Sequence, residues 1–134
     1  MGQKTKRVLI ADDNAHLRKA LCRLFEGHEY LEICCEVANG REAVEKAIEI
    51  KPDLIILDLS MPVMNGLEAA RELKRILPVV PIILFTLHGH MISDEQAAKS
   101  GVDLVVAKSD ITRLNEHVRS LLPRPEMDEI DTVS

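Results

Sequence analysis

Five side chains stand where aliphatic runs end. Asp12 and Asp13 close "VLIADDN", Asp58 closes "DLIILDL", Thr86 closes "VPIILFT", and Lys108 follows "LVVA". Adjacent carboxylates repel by about 4 kcal/mol per pair at roughly 4 Å and an effective dielectric near 20. Three of them brought together therefore call for a cation. Hard oxygen ligands select a hard ion, and a few carboxylates with a backbone carbonyl and waters suit Mg²⁺, which often bridges to phosphate. One remaining carboxylate can then act as a nucleophile towards a phosphoryl group, with Thr86 donating to one phosphoryl oxygen and Lys108 pairing with another. Asp58 is the best placed for that role, at the end of the most apolar run.

Taken singly, each residue has a duller role. Asp12 or Asp13 favours a helix N-terminus, an Asp after a strand forms turns, Thr suits strands, and a lysine is most often a solvated surface charge. Coincidence outweighs these readings, because four separate runs end in groups suited to one chemistry.

The elements that must position them follow from hydrophobic periodicity. Apolar runs alternate with helix-period segments: "RVLIA", a helix with Leu17, Ala20, Leu21, Leu24 and Phe25 on one stripe, then "LEICCEVA". This second run alternates Leu31, Ile33, Cys35 and Val37 against Glu32, Cys34 and Glu36, which predicts an edge strand with one wetter face. A second helix carries Ala43, Val44, Ala47 and Ile48, and the continuous "DLIILDL" predicts a strand buried on both faces. A turn-rich "SMPVMNG" leads to a third helix, a fourth helix runs from about Ser93 to Ser100 with Gly101 as its cap, and a fifth turns Ile111, Leu114, Val118 and Leu121 inward. Five strands alternating with five helices predict an α/β fold, a five-stranded parallel sheet covered on both faces as a (βα)5 three-layer sandwich; with the second strand at an edge, the order expected is the 2-1-3-4-5 of flavodoxin-like sheets. Ligands of such sheets sit beyond the carboxyl ends of the strands, where all five candidate residues fall. With strands roughly 4.8 Å apart, Lys108 starts about two strands from the acids and has the stem to reach back.

Composition excludes several classes. The chain has 134 residues, of which 46% are hydrophobic, enough for one domain with a real core. Aromatic residues make up only 2%, with no Trp, and the net charge is -5, which argues against base stacking and against binding polyphosphate backbones. No apolar run approaches membrane-spanning length, and Lys6 stands where a myristoylation motif needs Ser or Thr. Cys22, Cys34 and Cys35 lack metal-ligand spacing and fit small core hydrophobes kept reduced in a cytoplasm. His88 and His90 share a loop, but two histidines without a third ligand make a weak zinc case. Residues 123–134, "PRPEMDEIDTVS", change character and read as an acidic, Pro-containing tail or the start of a linker after a domain spanning 1–122.

In order and spacing, "VLIADDN", "KPDLIILDLSMPVMNGLEA", "PIILFT" and "GVDLVVAKS" resemble the receiver domain of bacterial two-component response regulators, over residues 7 to 122. The resemblance implies that Asp58 takes a phosphoryl group from a histidine kinase or phosphotransfer protein. It also implies that Asp12, Asp13, Asp58 and the backbone carbonyl of Ser60 hold Mg²⁺, while Thr86 and Lys108 grip the phosphoryl oxygens. A phosphorylated receiver is expected to change its contacts through the fourth helix, fifth strand and fifth helix, by homodimerisation or by binding an effector. "VANGREA" and the "KS" after the last strand look most like receivers that precede a helix-turn-helix DNA-binding domain. The domain itself is expected to bind neither nucleic acid nor membrane. Three positions depart from the family pattern: Leu87 stands where a small residue is common, Val105 where many members carry Tyr or Phe, and Ser109 where many have Pro.

Other classes fare worse. An Asp-nucleophile phosphatase places a second acid two residues after its nucleophile, where this chain has Ser60. A dinucleotide site needs a glycine-rich turn after the first strand, and "ADDNA" puts carboxylates where pyrophosphate must sit. Two arrangements stay open: a receiver that acts alone through protein contacts, and the receiver part of a longer DNA-binding regulator. In neither is the domain a turnover enzyme.

Overall fold

In a computed structural model, which describes residues 5–87 and 89–122, the chain alternates strand and helix throughout. The strands are β1 (Lys6–Ala11), β2 (Leu31–Val37), β3 (Leu54–Leu57), β4 (Ile82–Thr86) and β5 (Leu104–Ala107). The helices are α1 (Ala15–Glu26), α2 (Gly40–Ile50), α3 (Gly66–Ile76), α4 (Asp94–Lys99) and α5 (Ile111–Leu121). All strand pairs are parallel, in the order β2-β1-β3-β4-β5 expected from the sequence. His88 and the tail 123–134 lie outside the described residues, as does the side chain of His90.

Alternation along the strands divides the core in two. Leu9, Ala11, Ile55, Leu57, Ile82 and Leu84 point to one face and pack on Ala43 and Ala47 of α2, Ala69, Ala70 and Leu73 of α3, and Ala97 of α4. Val8, Ile10, Leu54, Ile56, Ile83 and Phe85 point to the other and pack on Leu21 and Phe25 of α1 and Leu114 and Val118 of α5. Small alanines on α2 and α3 let those helices lie close to the sheet. Each helix begins at a side-chain cap: Asn14, Asn39, Asn65, Ser93 and Asp110 each accept an amide from the first turn, and Asn65 and Ser93 complete capping boxes with Glu68 and Gln96. Among the described residues no helix is long and apolar enough to cross a membrane, and every peptide bond is trans.

Two expectations need correction. The alternation of β2 does not run unbroken: Val8 pairs with Ile33 but Leu9 pairs with Cys35, so Cys34 is an extra residue in a β-bulge. Leu31 and Ile33 accordingly pack on the α1/α5 side, whereas Cys35 and Val37 pack on the α2/α3/α4 side. Ile48 is 46% exposed and Ile111 36% exposed, because each lies at the margin of its helix's apolar stripe, past the width of the sheet beneath. The three cysteines are free and half-buried, as small hydrophobes at the edge of the core would be.

Candidate functional site

The carboxyl ends of β1, β3, β4 and β5 converge on one rim. Asp12, immediately after β1, anchors its amide to the Val37 carbonyl of β2 at 3.0 Å, and its Oδ1 accepts the Asn14 amide at 2.8 Å. Asp58 follows β3 and donates its amide to Ala11 of β1 at 2.9 Å, which ties the two acid-bearing segments together. The turn after Asp58 is held by close glycine packing. A Cβ on Gly66 would lie 2.2 Å from the Asp58 carbonyl oxygen, and one on Gly40 would lie 2.2 Å from that of Met64. Only a residue without a side chain allows these approaches, in which Gly40 N–H donates to Met64 and Gly66 N–H to Leu59. Val63, in the same turn, takes a left-handed φ of 71° and is 72% exposed.

The structure brings the candidate side chains Asp12, Asp13, Asp58 and Lys108 together, with Thr86 at the end of the adjoining strand β4. Asp12 and Asp58 are buried, at 2% and 5% exposure, and Thr86 is buried at the end of β4. Lys108 takes its place through its amide, which donates to the Thr86 carbonyl at 3.0 Å. Its stem reaches back across the rim, so that Nζ lies 2.8 Å from Asp12 Oδ2 and 3.2 Å from Asp58 Oδ2. Asp13 stays exposed beside this pair, and Ser60 is exposed two residues after Asp58. Burial, followed by the charge of Asp12, holds the Asp58 carboxyl above its ordinary value, against the pull of Lys108. Burial works to lower the Lys108 pKa, but hydrogen bonds and charge from Asp12 and Asp58 outweigh it and hold the ammonium above its ordinary 10.5.

The same acids are suited to a metal. Asp12, Asp13 and Asp58 each offer an oxygen, all within 4.8 Å of one another, and they are the one such group among the described residues. Oxygens this close are the groups that would hold one divalent ion. Hard carboxylate donors, with room for water on the exposed Asp13 side, fit Mg²⁺ and not a thiophilic ion.

This geometry agrees with relationships to known proteins. The family model of the response regulator receiver domain matches residues 8–119. The chain belongs to that family. The receiver is 40% identical over 112 residues to the chemotaxis protein CheY of Thermotoga maritima, covering 83% of this chain and 92% of that protein. It is 43% identical over 108 residues to a protein-glutamate methylesterase/protein-glutamine glutaminase of Carboxydothermus hydrogenoformans, of which it covers only 30%. Among solved structures, the response regulator TrrA of Thermotoga maritima, in complex with Mg²⁺–BeF, superposes with a TM-score of 0.78 at 35% identity, covering 88% of this chain and all (100%) of that one. A LuxR-family response regulator from Aurantimonas gives a TM-score of 0.80 at 28% identity, with 91% and 89% covered.

Sequence reasoning missed three contributors to the site: Arg18, whose guanidinium meets the Asp12 carbonyl, and the two glycines Gly40 and Gly66. The "NG" pairs at residues 39–40 and 65–66 were a signal for turns and caps, but the contacts they allow are tertiary.

Proposed function

We propose that this receiver is a phosphorylation-activated switch in which Asp58 accepts a phosphoryl group from a histidine kinase or a phosphotransfer protein. The observation that carries the reading is the buried Asp58 carboxylate, 3.2 Å from Lys108 Nζ, with oxygens of Asp12 and Asp13 inside the same 4.8 Å cluster. An Asp58 oxygen attacks phosphorus, a P–O bond forms, the P–N bond to the donor histidine breaks, and the imidazole leaves with the electron pair. Asp12, Asp13, Asp58 and the Ser60 carbonyl are the groups that would hold Mg²⁺, which when bound neutralises charge on the phosphoryl oxygens. Lys108 shifts from the two carboxylates to a phosphoryl oxygen, and the Thr86 hydroxyl donates to another. These movements pull on the segment after β4, which leads through Leu87 to a 3₁₀ turn at Gly89–Met91 and on to α4.

The face made by α4, β5 and α5 is where the domain would exchange partners, as a homodimer or with an effector. Ile111 at the start of α5 is 36% exposed, and Leu87 and Met91, on the segment that leads from β4 to α4, are 68% and 67% exposed. The coverage of 92% of a CheY and 30% of a methylesterase places no single output after the switch. The domain itself turns over no external substrate beyond its own phosphorylation and dephosphorylation.

Mass spectrometry after incubation with Mg²⁺ and a small phosphoryl donor tests the reading. Wild type should gain one phosphoryl group and Asp58→Asn none. An unmodified wild type, or equal gain in both, overturns it.

A further inference from the structure

The bulge at Cys34 turns the second half of β2 over, and Glu36 comes to face α1. There Glu36 Oε1 lies 3.3 Å from Arg18 Nε, while Oε2 accepts Cys22 Sγ at 3.2 Å and lies 3.8 Å from Lys19 Nζ. The Arg18 guanidinium, with its side chain only 19% exposed, points its Nη1 at the main-chain carbonyl of Asp12, 2.6 Å away. That carbonyl belongs to the planar peptide joining Asp12 to Asp13, so fixing its oxygen fixes the plane from which Asp13 departs. The preceding peptide is fixed as well, since the Asp12 amide donates to Val37 of β2 at 3.0 Å. Strand β2 therefore holds Asp12 twice, once directly and once through Glu36 and Arg18.

We propose that Arg18, oriented by Glu36, is a positioning residue of the acidic rim, holding the Asp12–Asp13 peptide so that both carboxylates point at one cation and thereby setting the affinity for Mg²⁺. The affinity part rests on the function proposed above. A guanidinium suits the task because its rigid fork serves two partners at a fixed spacing, whereas an ammonium has no such plane. Glu36 balances its charge, which leaves Arg18 directed to the carbonyl and not to the Asp12 carboxylate. A bulge that re-aims one side chain towards a site is a recurrent use of that distortion.

Two measurements on the intact chain test this. Calorimetric titration with Mg²⁺ should show affinity falling about tenfold in Arg18→Ala, as for the loss of an outer partner of a ligand. Arg18→Lys should recover part of the loss, Glu36→Gln should lose less than Arg18→Ala, and the double variant should be no worse than Arg18→Ala alone. Hydrogen exchange without metal should accelerate at the Asp13 and Asn14 amides in Arg18→Ala, with the β3 and β4 amides unchanged. Wild-type Mg²⁺ affinity together with wild-type exchange in Arg18→Ala overturns the proposal, and should that variant fail to fold, Glu36→Gln decides in its place. A wild type that takes up no Mg²⁺ overturns the affinity part and weakens the proposed function, while the exchange rates still decide whether Arg18 holds the peptide.

Discussion

Both rims of the sheet carry aspartates and use them in opposite ways. At the amino ends of the strands, Asp53 precedes β3 and accepts the Arg7 amide at 2.8 Å, and Asp103 precedes β5 and accepts the Ile82 amide at 2.8 Å and Lys74 Nζ at 3.1 Å. Each of these acids is spent on a neighbouring strand's backbone, in a half-buried or exposed setting where water remains. At the carboxyl ends, Asp12 and Asp58 are buried and face each other across a single ammonium. Acids that satisfy backbone hold a fold together; acids crowded on one another repel and are suited to a cation. An aspartate at a strand end is informative only once its partners are known.

That contrast breaks most visibly at Lys108. Replacing it by Met leaves two buried carboxylates without a counter-charge, and urea unfolding at pH 7 should report a loss of about 3–5 kcal/mol. The loss should shrink as pH falls. A carboxyl held above its ordinary value, as Asp58 is, binds its proton in the folded state first, so the destabilisation is complete above the folded value and is relieved on descent to the unfolded one. Mg²⁺ should restore part of the stability at pH 7, and a variant indifferent to both pH and Mg²⁺ would remove the difference between the rims. At the other rim, Asp103→Ala strands the buried Ile82 amide and leaves Lys74 Nζ with the Val80 carbonyl, at a cost of about 2 kcal/mol by the same measurement, with Mg²⁺ affinity unchanged. The smallest effect belongs to neither rim: Arg75→Ala breaks an exposed i,i+3 pair with Glu72 and should move stability by no more than about 0.5 kcal/mol.

Much of this was legible from the chain alone, for a physical reason. Asp12, Asp13, Asp58, Thr86 and Lys108 are legible because a parallel sheet brings strand ends to one rim whatever the loops do, so identity at five positions implies proximity. The apolar contrast between "LEICCEVA" and "DLIILDL" marks the second strand as an edge and the third as central, and the rest of the order is that of known sheets of this kind. What stayed hidden depends on register and close approach. A one-residue bulge leaves no mark in the alternation of β2, since Leu31, Ile33, Cys35 and Val37 fit a regular strand equally well. The Arg18–Glu36 link follows from that bulge and was hidden with it. Gly40 reads as part of an Asn-Gly turn, and nothing local says that the Met64 carbonyl will lie where its Cβ would be. Ile48 and Ile111 are helix-periodic, but periodicity gives direction and not the breadth of the sheet below.

The kinked outer strand also bears on how copies of the protein behave at high concentration. A straight, apolar border would offer unpaired amides and carbonyls to any extended chain that drifted past, the first step towards fibrous deposits. Here the distortion at Cys34 leaves only short straight stretches, with the charge of Glu32 exposed on one of them. A second molecule meeting this border would find matching amides and carbonyls on either side of Cys34 but not across it, so self-zippering is resisted by shape.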